Sequence, residues 1–104
     1  EWTAWVPQLN NDPELVKKML PSLVKAAGSP DKVQLDEPFA LDDFSHFSEV
    51  VPSIFAYLSV AQEEGDPRVI DGHHTPLFWI NEDGLLTGVK AYLHFAFDYM
   101  NLHS

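Results

Sequence analysis

Apolar and polar positions follow a helical period near both ends of the chain and a more continuous apolar pattern in the middle. The first helical pattern begins after "NND", where Asp12 is a candidate N-cap, Pro13 suits the first helical position and Gly28 marks a stop. Pro21 lies inside this pattern, and because the period resumes after it we expect a bent helix that does not break. The predicted apolar face consists of Leu15, Met19, Leu20, Leu23, Val24 and Ala27.

The middle of the chain carries the strand predictions. Residues 32–35, "KVQL", predict a short strand, and residues 52–60, "PSIFAYLSV", are almost continuously apolar and rich in strand-forming types. Such a run is typical of a strand covered by helices on both faces. A short helix over about residues 43–50 is predicted between them. We therefore expect an α/β fold with a mixed sheet flanked by helices, and so few strands leave that sheet incomplete.

The last helical pattern follows "NEDG", where Asn81 or Asp83 is the candidate cap. Lys90, His94 and Asp98 fall on its polar side, which predicts a solvated His94. The apolar side consists of Leu85, Val89, Tyr92, Leu93, Ala96 and Met100.

Composition narrows the class of protein. With 104 residues, 45% of them hydrophobic and 12% aromatic, the chain is expected to form one small folded unit or a piece of one. Sixteen acidic residues against six basic ones give a net charge of -10, which disfavours binding to nucleic acids and to anionic membranes. No apolar run reaches the roughly 20 residues that span a bilayer. The absence of cysteine excludes disulfides and thiolate sites but leaves the compartment open.

Two sets of residues are candidates for chemistry. His73 and His74 are adjacent in a turn before Pro76, where they are either solvated loop residues or part of a metal site. A metal site would need further ligands, and no HxD, ExxH or HExxH pattern supplies them. Asp42 and Asp43 are either a carboxylate pair at a site or the acidic start of a short helix, where the helix dipole favours Asp.

Four segments in order carry a resemblance to a known family: "PQLNNDPEL", "ALDDFSHFSEVVPSIFAYLSV", "HHTPLFWINEDGL" and "GVKAYLHFAFDYM". The chain resembles the C-terminal part of the metal-dependent aminoacylase and carboxypeptidase family, which includes hippurate hydrolase and the indole-acetyl-amino-acid hydrolases. The resemblance covers nearly the whole chain after Pro7. It implies that residues 1–6 end an inserted lid domain and that residues 7–104 form the C-terminal segment of a zinc-peptidase-like catalytic domain.

By this resemblance His74 is a metal ligand, and His73 is its neighbour. The complete enzyme would hold two divalent metal ions, zinc before manganese or cobalt, and would hydrolyse the amide bond of N-acyl amino acids or small peptides. The resemblance gives this chain no catalytic residue of its own. It places Asp42 on the substrate side, but "ALDD" stands where relatives have Gly-small-Glu-Asp, which weakens that role.

The implied partners are the missing N-terminal part of the same domain and the substrate, with a homodimer through the lid as a further option. The isolated chain is therefore expected to be inactive. A different hypothesis is a free-standing acidic α/β binding or regulatory module without catalysis. A third is that the rest of the enzyme is a separate chain.

Overall fold

The computed structural model describes residues 7–35, 42–59, 76 and 80–103. Residues 1–6, which are expected to end the lid domain, and residues 60–75, which include His73 and His74, lie outside the described residues. None of the helices in the described ranges is long and apolar enough to cross a membrane. In chain order these helices are α1 (Pro13–Ala27), a 3-10 helix (Pro30–Lys32), α2 (Ser45–Ser48) and α3 (Gly84–Leu102).

The first helix begins and ends where the sequence predicts. The Asp12 carboxylate accepts a hydrogen bond from the Leu15 N–H at 2.8 Å, and Pro13 occupies the first turn. At the other end Gly28 adopts a left-handed φ of 98°, and its N–H donates to the Val24 carbonyl at 2.9 Å. The helix is continuous through Pro21, which confirms that this proline does not break it.

Two other predicted helix starts are confirmed only in part. Asp83 holds the N-cap position of α3, but its side chain makes no capping hydrogen bond. Asn81 instead forms the preceding turn, with its side-chain oxygen accepting from the Asp83 N–H at 3.0 Å. The helix predicted over residues 43–50 is shorter, because residues 43–44 and 49–50 form turns on either side of α2.

Helices α1 and α3 pack against each other. The buried line of α1 is Met19, Ser22 and Ala26, so two of its three members are small. Small side chains in such a line allow a second helix to approach closely. The half-buried side of α3 is polar or small as well, except for one phenylalanine. It consists of Gly84, Thr87, Gly88, Ala91, His94, Phe95 and Asp98.

The orientation of α3 is opposite to the one expected from its pattern. The residues of its apolar side are exposed, from 51% at Leu85 to 83% at Tyr92, and His94 is half-buried where a solvated residue was predicted. The polar side of α3 faces α1 because Asp98 pairs with Lys25 and accepts a hydrogen bond from the buried Ser22 hydroxyl. The buried apolar residues within the described part of the chain are Pro7, Leu9, Met19 and Ala26.

The predicted α/β class is wrong for the part of the chain that the structure describes, which contains helices and no strand. Residues 32–35 leave the 3-10 helix without forming a strand, and residues 52–59 have no regular secondary structure. A strand requires a neighbouring strand to pair with, and strand-forming residue types do not supply one. At Phe55 the side chain of Asn11 pairs with the backbone instead, through hydrogen bonds of 2.7 and 3.1 Å.

Candidate functional site

The sequence-predicted metal ligand His74 lies outside the described residues, as does His73. In the ranges that are described, no three His, Asp or Glu side chains come together in a group that could hold a metal ion. A zinc site needs three or four ligands, so the described residues do not form one by themselves.

Asp42 is exposed and is part of the turn that leads into α2. Its carboxylate accepts a hydrogen bond from the Phe44 N–H at 2.8 Å, and its backbone carbonyl accepts from the Ser45 N–H at 3.0 Å. This is the local side-chain to backbone pattern with which Asp commonly opens a turn. The geometry favours the interpretation of "DDF" as the start of a helix.

A polar cleft lies between the start of α1 and the end of α2, lined by residues 10–13 and 48–53. A hydrogen bond beside the cleft joins its two segments, because the Asp12 N–H donates to the Ser53 carbonyl at 3.0 Å. Asn11 adds its two hydrogen bonds with the Phe55 backbone, so a side-chain amide occupies the position that a neighbouring strand would take. The sequence pattern does not single out Asn11. The only signal for this residue is that it directly precedes the capping Asp12.

Both serine hydroxyls of this cleft are engaged with backbone carbonyls. The Ser48 hydroxyl donates to the Ser45 carbonyl and the Ser53 hydroxyl donates to the Val51 carbonyl, each at 2.8 Å. A nucleophilic serine would instead need a base within hydrogen-bond reach of its hydroxyl. Neither serine hydroxyl is therefore placed as an activated nucleophile.

A second polar cluster joins α1 to α3. The hydroxyl of Ser22, which is only 2% exposed, donates to the Asp98 carboxylate at 2.6 Å, and the Lys25 ammonium pairs with the same oxygen at 3.0 Å. These hydrogen bonds, first that of Ser22 and then that of Lys25, lower the pKa of Asp98 below its ordinary value of 3.8. Since Ser22 and Lys25 both bind this carboxylate, the cluster holds two helices together.

The sequence did not reveal this cluster, because it placed Asp98 on the polar side of α3 and left it without a partner. The signal that could have found it is the position of Ser22, midway along the line from Met19 to Ala26 on α1. A hydroxyl at such a buried position needs a hydrogen-bond partner, and Asp98 provides it.

Comparison with known proteins links the chain to two hydrolases. It is 29% identical over 99 residues to the uncharacterized hydrolase y4tI of Sinorhizobium fredii (strain NBRC 101917 / NGR234), an alignment that covers 95% of this chain and 24% of that protein. It is 33% identical over 61 residues to IAA-amino acid hydrolase ILR1-like 6 of Arabidopsis thaliana, covering 58% of this chain and 12% of that protein. No protein-family model and no solved structure matches. The chain thus resembles proteins named as hydrolases and spans a quarter or less of their length.

Proposed function

We propose that this chain is a segment of a longer amidohydrolase that cleaves the amide bond of N-acyl amino acids or small peptides. The observation that carries the proposal is the alignment of 95% of the chain with a protein named as a hydrolase. The second relative is named as a hydrolase of an IAA-amino acid, which supports an amino-acid conjugate as the substrate. The four motif segments quoted from the sequence support the same class of enzyme.

His74 is the residue of this chain that we propose as a metal ligand, in a centre of two divalent ions that are zinc, manganese or cobalt. The described residues do not form a metal centre by themselves, and the family resemblance implies that the remaining ligands lie in the N-terminal part of the enzyme. Bound divalent ions at such a centre polarise a carbonyl and activate water. No step of catalysis is assigned to the described side chains.

The test uses the longer polypeptide that carries this segment, in its unaltered form and as the His74→Ala and His73→Ala variants. Metal content is measured by elemental analysis, and release of free amino acid is measured on a panel of N-acyl amino acids. We expect His74→Ala to lose bound metal and most activity, by about tenfold or more, whereas His73→Ala is milder. The proposal is wrong for His74 if both variants keep the same metal content and the same activity.

The hypothesis of a free-standing binding or regulatory module has less support. Only four apolar residues are buried within the described ranges, namely Pro7, Leu9, Met19 and Ala26. A domain of about 100 residues that is stable alone ordinarily buries more than half of the surface of its unfolded chain. The small core therefore favours a segment whose packing is completed by further polypeptide.

A further inference from the structure

Helix α3 ends on a row of aromatic rings that leads to a histidine. The rings of Phe95 and Tyr99 are stacked, with centroids 6.2 Å apart and planes within 5° of each other. The imidazole of His103 takes the next place, with its centroid 4.3 Å from that of Tyr99 and its plane tilted by 40°. Residues four apart lie on one side of a helix, so the three rings form a continuous row along the end of α3.

The imidazole also stands at the negative end of the helix. His103 occupies the C-cap position, and its N–H donates to the Met100 carbonyl at 3.2 Å. The last carbonyls of a helix lack partners within it and carry a partial negative charge, which a nearby cation stabilises. The last turn of α3 contains no basic residue. His103, directly after that turn, is therefore the basic residue next to these carbonyls along the chain.

Both contacts favour the same protonation state of His103. A protonated imidazole beside an aromatic ring is attracted by the electrons of the ring face, and a neutral imidazole lacks this attraction. The helix dipole likewise favours a cation at the C-terminus of a helix. Histidine changes its charge between about pH 5 and pH 8. The end of α3 is therefore expected to be held more firmly in acid, and this stabilisation is lost as the pH rises.

Other titratable groups lie near this end of α3. Asp98 directly precedes Tyr99 and pairs with Lys25 of α1, the helix that packs against α3. The pKa of Asp98 is lowered, first by the Ser22 hydroxyl and then by Lys25, so this carboxylate is charged throughout the range from pH 5 to pH 8. Lysine ammonium groups also stay charged and tyrosine phenols stay neutral in this range. His94, one turn before Asp98, does change its charge there, so its effect must be separated from that of His103.

We propose that His103 and Tyr99 form a pH-sensitive lock on the last turn of α3. Protonated His103 packs on the Tyr99 ring and interacts with the last carbonyls of the helix, whereas neutral His103 lacks both charge interactions and the last turn frays. Tyr99 directly follows Asp98, so the lock keeps fraying away from the carboxylate that joins α3 to α1. This lock belongs to the end of one helix and does not depend on whether the protein is a hydrolase.

The test follows backbone hydrogen exchange by mass spectrometry in the longer polypeptide that carries this segment. Exchange of the peptide that contains residues 99–103 is measured at about pH 5.5 and at about pH 8, and each rate is divided by the intrinsic exchange rate at that pH. We expect this peptide to be about threefold to tenfold more protected at the lower pH, from the usual strength of helix-dipole and cation–π interactions. Equal protection at the two pH values would overturn the proposal.

Two variants separate the parts of the lock. His103→Gln removes the titrating group and keeps a polar side chain, so the difference in protection between the two pH values should disappear. Tyr99→Leu removes the ring and keeps an apolar side chain that suits a helix, so the difference should shrink to the part due to the helix dipole. The proposal is wrong if the difference survives His103→Gln, or if it keeps its full size in Tyr99→Leu.

His94→Gln and His46→Gln are the matched controls, because each removes one histidine as His103→Gln does. His94 lies on the same helix, and His46 is an exposed histidine of α2. We expect both controls to leave the pH difference at residues 99–103 unchanged. Loss of the difference in His94→Gln would assign the effect to the Asp98 contact and contradict the lock. Each variant is compared with itself at the two pH values, so a general loss of stability does not imitate the effect.

Discussion

Ser22 and Ser45 are both buried, but only the hydroxyl of Ser22 has a hydrogen-bond partner. Ser22 is 2% exposed and donates to the Asp98 carboxylate, whereas Ser45 is fully buried and its hydroxyl has no partner. A buried hydroxyl without a partner costs free energy that a satisfied one does not. The same chemical change should therefore have opposite effects at the two positions.

We expect Ser45→Ala to leave the free energy of unfolding unchanged or to raise it by about 1 kcal/mol, because the variant removes an unsatisfied polar group. Ser22→Ala should lower it, because Asp98 loses its hydroxyl donor. Urea unfolding of the 104-residue chain followed by circular dichroism measures both changes. Destabilisation of similar size in the two variants would show that Ser45 has a partner in solution.

Asp98 should make the folding stability of the chain depend on pH in the acid range. The pKa of Asp98 is lowered in the folded chain, by the Ser22 hydroxyl first and the Lys25 ammonium second. Its contribution to the free energy of unfolding is therefore complete at pH values above the ordinary pKa of 3.8. That contribution is lost as the pH falls from 3.8 through the lowered pKa, because the unfolded chain takes up the proton first. His94, one turn earlier on α3, adds to the lowering.

The measurement is the melting temperature of the unaltered chain and of Asp98→Asn between pH 7 and pH 2. The difference between the two should be greatest at neutral pH and should shrink below about pH 3.8. A difference that stays constant over this range would mean that the ion pair does not form in solution.

Among the elements, α1 is the one that the sequence predicts best. Asp12, Pro13 and Gly28 act within a few residues of their own positions, so their roles do not depend on what packs around the helix. The pattern of α3 also predicts correctly which residues share a side. It does not tell which side is covered, because that depends on Asp98 meeting Ser22 on another helix.

The N-cap of α1 can be tested with two substitutions. Asp12→Ala removes the acceptor for the Leu15 N–H and should lower the free energy of unfolding by about 1 kcal/mol. Asp12→Asn keeps an acceptor of the same shape and should cost much less. Chemical unfolding of both variants decides the matter, and equal losses would mean that the carboxylate charge matters more than the hydrogen bond.

At the scale of the whole molecule, the fold class was wrong for the described residues while the resemblance to hydrolases was supported in part. Residues 52–59 have the composition of a strand, but composition cannot supply the neighbouring strand that pairing requires. The site was predicted from the order of motifs around His74, which lies outside the described residues. Asp42 could be followed into the structure, where its carboxylate caps a local turn.

The 104-residue chain alone should bind zinc weakly or not at all and should hydrolyse no N-acyl amino acid, since the resemblance gives it one metal ligand, His74, and a zinc site needs three or four. Calorimetric titration with zinc and an assay of amino acid release measure this. Tight binding of two ions that survives His74→Ala would contradict both the weak binding and the assignment of His74.

The outward orientation of α3 also has a consequence for the kinetics of folding. Helix α1 carries its own caps and can form locally, whereas apolar side chains of α3, among them Tyr92 and Phe97, are exposed to water. Such side chains of different molecules can associate, at a rate that rises with concentration. Aggregation through α3 is therefore expected to compete with productive folding as the concentration of the chain rises.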